Sequence, residues 1–135
     1  MPLVVGALKR LELMRTKPEL KNKLWEITNA LQSGLKNAGF EIGETNSCVT
    51  PVYMKGGVEE ASQMVMDLRE NYGICASIVV YPVIPKGHII YRLIPSAAHT
   101  FEDIDQTLKA FSETQEKLKA GAYGSGVIPD MADVK

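Results

Sequence analysis

Arg92 is the residue of this sequence best placed to do chemistry. It stands in His88-Ile89-Ile90-Tyr91-Arg92-Leu93-Ile94, a run whose β-branched and aromatic content predicts a strand. Strand side chains alternate, so Arg92 shares a face with Ile90 and Ile94. A guanidinium between two isoleucines is costly unless an anion pairs with it. The anion is either a carboxylate of the same chain, which makes a structural ion pair, or a substrate carboxylate, which arginine grips in bidentate fashion.

Pro82-Val83-Ile84-Pro85-Lys86-Gly87 is the second feature, an apolar loop broken twice by proline. It reads either as a stiff connection between antiparallel strands or as a rigid frame that lines a binding site. Lys86 reads as a solvated loop cation that could touch a phosphate. His99, in Ser96-Ala97-Ala98-His99-Thr100, reads as a local hydrogen-bonding residue rather than a catalytic one. No glycine-rich phosphate loop and no nucleophile elbow accompany these residues. Cys48, Cys75, His88 and His99 have no zinc spacing.

The elements that must position these residues are legible from composition and period. The chain has 135 residues, 45% hydrophobic and 23% charged, enough for one domain with a core. A net charge of -1 argues against nucleic acid or an anionic membrane surface. No apolar run is long enough to cross a membrane. The two cysteines, each in an apolar strand-like stretch, read as small buried hydrophobes of a reducing compartment, the cytoplasm by default.

Leu3 to Met14 is rich in helix formers, with apolar residues on more than one face. Thr16-Lys17-Pro18-Glu19 reads as a capping box that starts a second helix. Leu24, Ile27, Leu31, Leu35 and Ala38 give that helix one apolar stripe, and Gly39 stops it. Phe40 to Glu44 is a short strand candidate. Cys48 to Met54 is a clearer one, with Pro51 arguing for an edge or a bulge. Val58, Ala61, Val65, Leu68 and Tyr72 predict a third helix ended by Gly73. Ile74 to Tyr81 predicts another strand. Thr100 and Asp103 predict the cap of a last helix, striped by Ile104, Leu108, Phe111 and Leu118.

The expected fold is α+β, a small, mostly antiparallel sheet of about three to four strands with helices packed on one face. Ile78-Val79-Val80-Tyr81 does not alternate, and the last strand is apolar on both faces apart from Arg92. Three helices cover one face. The second face and much of the first helix call for a partner outside this sequence.

The proline loop, Arg92 and Ser96-Ala97-Ala98-His99-Thr100, in that order, resemble the α-oxoamine synthase branch of the fold-type I, aminotransferase-like pyridoxal-phosphate enzymes. The resemblance covers roughly residues 2–120. Pro2 to Leu8 is similar to the helix that leaves the family's large cofactor domain, and the run from Arg69 to Pro85 is most similar to bacterial serine palmitoyltransferases. The resemblance implies a division into a connecting helix at 1–16, a C-terminal small domain at 17–120 and a flexible tail at 121–135.

It also implies that Arg92 binds the substrate carboxylate and that Val83, Ile84, Pro85 and Lys86 approach substrate or acyl chain. The implied reaction condenses an amino acid, serine on this resemblance, with an acyl-CoA. Pyridoxal phosphate acts there as electron sink for the carbanion that attacks the thioester. The family's Schiff-base lysine and the other cofactor-binding residues have no counterpart in this stretch. The chain alone is therefore expected neither to hold the cofactor nor to catalyse. Its partners would be the N-terminal large domain and, in the full-length enzyme, a second subunit, the isolated domain being monomeric. Sister activities (2-amino-3-ketobutyrate CoA ligase or 8-amino-7-oxononanoate synthase), a free-standing amino-acid-binding regulatory module and a purely structural dimerisation domain are the alternatives. The module would need a closed surface of its own.

Overall fold

The computed structural model describes residues 2–124. Helix α1 spans Pro2–Thr16 and α2 spans Pro18–Asn37. Strand β1 (Thr50–Lys55) leads to α3 (Val58–Tyr72), then β2 (Ser77–Val79), β3 (His88–Leu93) and α4 (Phe101–Lys119). The sheet is antiparallel in the order β1-β3-β2. Among the described residues it has three strands, and α2, α3 and α4 supply the helical side of its core, as an α+β layer requires.

Local signals explain most element ends. Gly73 takes the left-handed conformation at φ 70° and closes α3, a geometry only glycine adopts without strain. Thr100 and Asp103 form the expected box at the start of α4: Asp103 N–H donates to Thr100 Oγ1 and Thr100 N–H donates to Asp103 Oδ2. Pro51 lies in β1, which is an edge strand in the sheet order.

Four expectations are corrected. Thr16 does not cap α2. It belongs to α1, its hydroxyl donates back to the Glu12 carbonyl, and Lys17 forms the break between the helices. The strand expected over Ile74 to Tyr81 shrinks to Ser77–Val79, because only these residues find partners on β3. Phe40 to Glu44 is not a strand: Glu41 makes a single bridge to Tyr53, while Phe40 and Ile42 plug the core. The cysteines are free, and neither is buried: Cys48 is half-buried and Cys75 exposed.

The core sits between α2–α4 and one face of the sheet. Val52, Met54, Ile89, Tyr91 and Leu93 point into it and meet Ile27, Leu31, Leu35, Met64, Leu68 and Phe111. Phe111 stands edge-on to both Phe40 and Tyr91, with ring centroids 6.1 and 6.0 Å away. Helices α2 and α4 approach closely at Gly34, where an added Cβ would overlap Leu108 Cδ1.

Helix α1 is bare. No residue of α1 is buried, and Leu3, Met14 and Val5 are 87%, 77% and 64% exposed. The tail expected from residue 121 begins with Tyr123 packed into the core, its hydroxyl donating to Asp67, and Gly124 N–H donating to Gln63. The remainder of that tail, 125–135, lies outside the described residues.

Candidate functional site

Strand register decides which side chains surround Arg92. It pairs across the sheet with Pro51 of β1 and Ser77 of β2, while Ile90 pairs with Tyr53 and Val79. Directly paired residues share a face, so Pro51, Tyr53, Lys55, Ser77, Val79, His88, Ile90 and Arg92 lie on the side away from α2–α4. This face is open: Arg92 is exposed, as are Tyr53 and, just past the strand, Ile94.

Arg92 Nε donates to Ser77 Oγ at 3.1 Å. The ion pairs among the described residues leave Arg92 out. Both Nη groups therefore keep their N–H donors for an anion. The surface is a mixed sheet face: Pro51, Val79 and Ile90 neighbour the unspent guanidinium fork, and Tyr53, Lys55 and His88 lie further along it.

The proline loop sits at the other end of the same hairpin. Tyr81–Pro82 is a cis peptide, and Val83 N–H donates to the Val80 carbonyl at 3.0 Å. Val83 is 78% exposed, Ile84 is half-buried, and Pro85 and Lys86 are exposed. Lys86 Nζ lies 5.0 Å from the centroid of the Tyr81 ring, a cation–π contact at the loop tip. At a strand rise of about 3.3 Å per residue, His88 and Arg92 are about 13 Å apart. The structure thus puts Arg92 and Val83–Lys86 on one β2–β3 hairpin but not in contact.

His99 fits the local reading. Its Nδ1 accepts from the Ser96 N–H at 2.9 Å, which leaves the ring proton on Nε2. It lines a cleft of about 310 Å³ with Tyr72, Cys75, Ile94 and Asp103. A second cleft of about 500 Å³ lies among Tyr53, Lys55, Glu60, His88 and Lys119. Neither includes Arg92.

Two features escaped the sequence reading. Ser77 carried no signal of its own, because its place opposite Arg92 depends on the register across an eight-residue connection, 80–87. Asp67, Lys117, Tyr72 and Tyr123 join into one polar cluster between α3 and α4, from residues up to 56 apart in sequence. Burial pushes the Asp67 carboxyl up, but hydrogen bonds from Lys117, Tyr123 and Asn71 outweigh it and hold the group below its ordinary range.

The described residues do not fit pyridoxal phosphate as a complete cradle. The lysines among the described residues face solvent, apart from the half-exposed Lys117, which is committed to Asp67 and Tyr72, and the half-exposed Lys23, which pairs with Glu26. Among the described residues there is an arginine free of ion pairs and no cofactor-anchoring set. No metal-binding group of three or more His, Cys, Asp or Glu occurs among the described residues, nor a helix long and apolar enough to cross a membrane.

No family model matches the chain. It is 63% identical over 120 residues to the cysteate-C-fatty acyltransferase of Capnocytophaga ochracea, covering 89% of this chain and 29% of that protein. It is 34% identical over 119 residues to the 8-amino-7-oxononanoate synthase of Exiguobacterium sibiricum, covering 87% of this chain and 30% of that one. Among solved structures, a serine palmitoyltransferase variant of S. paucimobilis with PLP and myriocin bound aligns with a TM-score of 0.69 at 26% identity, covering 81% of this chain and 27% of that chain. The 8-amino-7-oxononanoate synthase of Francisella tularensis aligns with a TM-score of 0.71 at 19% identity, covering 84% and 32%, a likeness of fold. The chain thus spans under a third of the length of these relatives. An unspent arginine on an open sheet face, the proline loop at the far end of its hairpin and relatives of one kind agree: this chain belongs to the α-oxoamine synthase family and corresponds to a C-terminal portion of its members.

Proposed function

We propose that this chain is the substrate-facing C-terminal domain of a pyridoxal-phosphate-dependent acyltransferase that joins cysteate to a fatty acyl thioester. The observation that carries the reading is the 63% identity to a cysteate-C-fatty acyltransferase along 89% of the chain. Serine, the amino acid expected from the resemblance, gives way to cysteate on this ground, since the serine palmitoyltransferases are only 22–27% identical.

Arg92 takes the α-carboxylate of the amino acid through its two Nη groups and so orients the substrate, a positioning contribution. Val83 to Lys86 flank the entering acyl donor, with Val83 and Ile84 offering apolar contact and Lys86 a cation. Pyridoxal phosphate, if held by the large domain, would supply an electron sink for the amino-acid substrate. Residues 1–16 connect to that domain, and the bare α1 and the open sheet face dock on it. These exposed surfaces weigh against a free-standing regulatory module, which needs a closed surface.

The test is a turnover assay of the full-length enzyme with cysteate, serine, alanine and glycine, each with a fatty acyl-CoA. Cysteate is expected to give the highest kcat/KM. Arg92→Ala is expected to lower that value by about 100-fold or more, as loss of a charged bidentate contact would. A preference for serine or alanine would replace the substrate assignment, and an unchanged kcat/KM in Arg92→Ala would remove Arg92 from the site.

A further inference from the structure

Among the described residues, Ser77 is the only side chain that holds Arg92 by a hydrogen bond. The two are direct cross-strand partners, and Arg92 Nε donates to Ser77 Oγ at 3.1 Å. On the opposite flank Arg92 pairs with Pro51, whose side chain has no hydrogen-bonding atom. Ile90 and Val79, the neighbouring residues of the same face, have none either. Arg92 is exposed, so packing does not fix its guanidinium.

A guanidinium offers two edges to a planar anion. One joins Nε with the nearer Nη; the other joins the two Nη groups. Ser77 occupies Nε and removes the first edge. The end-on fork of the two Nη groups remains.

We infer that Ser77 is a positioning residue for the amino-acid substrate: it selects the end-on edge of Arg92 and holds it ready for the carboxylate. The inference rests on the reading of Arg92 as the carboxylate site. An arginine held in advance loses less freedom on binding, so its support acts on affinity for the group it meets. Affinity for the acyl donor, which Arg92 does not touch, is independent of it.

The experiment is steady-state kinetics on the full-length holoenzyme with cysteate and a fatty acyl-CoA, for Ser77→Ala, Ser77→Thr, Arg92→Ala and the double variant Ser77→Ala/Arg92→Ala. Ser77→Ala is expected to raise the KM for cysteate about fivefold to tenfold, with kcat and the KM for the acyl donor within about twofold. Ser77→Thr keeps a hydroxyl at the same site and restores the KM. The double variant is no worse than Arg92→Ala alone, since Ser77 acts through the arginine. If Arg92→Ala raises the cysteate KM and Ser77→Ala does not, the role of Ser77 is overturned and the carboxylate site stands. If Ser77→Ala instead lowers thermal stability and shifts both KM values together, the hydroxyl is structural and the inference fails. If neither variant moves the cysteate KM, the carboxylate site itself falls and takes the inference with it.

Discussion

Tyr91 and Arg92 are neighbours on β3, yet they belong to different environments. Tyr91 is completely buried against Phe111 on the helical face, where burial and the nearby Glu60 push its phenol far above the ordinary value. Arg92 points to the other face, exposed, with Ser77 as its hydrogen-bond partner. The same alternation runs through β1, where Val52 and Met54 are buried while Tyr53 is 44% exposed. One face of the sheet holds the domain together. The other is open and carries the exposed Tyr53 and Arg92. The bare α1 also stands apart from the core, to which its apolar residues contribute no buried side chain.

Mutations should divide along that line. Phe111→Ala, at the junction of Phe40, Tyr91 and the α4 stripe, is expected to cost about 3–5 kcal/mol of folding stability, read from denaturant unfolding of the isolated domain. Gly34→Ala forces Leu108 to move at the α2–α4 contact and is expected to cost about 1–3 kcal/mol in the same measurement.

Asp67→Asn breaks up the charged centre of the cluster that pins Tyr123, with a loss of about 1 kcal/mol near neutral pH. Its pH signature has a defined sign. A carboxyl depressed in the folded state adds stability above its unfolded value of about 3.8, and that stability disappears as pH falls through the lower folded value. Unfolding curves at pH 2–6 should therefore show a shallower acid limb for Asp67→Asn than for the parent. Identical limbs would show that Asp67 is not held down by its partners.

The smallest stability effects belong to the open side. Arg92→Ala and Leu8→Gln are each expected to stay within about 0.5 kcal/mol of the parent domain, although on the proposed function Arg92→Ala is expected to lower turnover in the full-length enzyme. A loss at Arg92 as large as that at Phe111 would break the comparison, because it would place the arginine among the supports of the fold.

The parts of this fold that sequence reading reached are those encoded over a few residues. The Thr100–Asp103 box, the left-handed Gly73 and the stripe of Ile27, Leu31 and Leu35 each depend on neighbours one to four positions away. Thr16 misled because its side chain had two local offers. It took the Glu12 carbonyl inside α1 rather than an amide of α2, and where α1 ends is what decided between them. The strand over Ile74 to Tyr81 was overextended because β-propensity marks residues that suit a sheet, not those that find a partner in it.

Residue order by itself determined that Arg92 shares a strand face with Ile90, that a proline-framed loop precedes it, and that three amphipathic helices have one core to cover. Period and caps are local, so they survive without a fold. Tertiary structure alone decided which sheet face those helices cover, that α1 stays outside the core, and that Ser77 stands opposite Arg92 with its hydroxyl on Nε. Those outcomes depend on register and packing between segments distant in sequence, where a shift of one residue would turn Arg92 into the core and Tyr91 out of it.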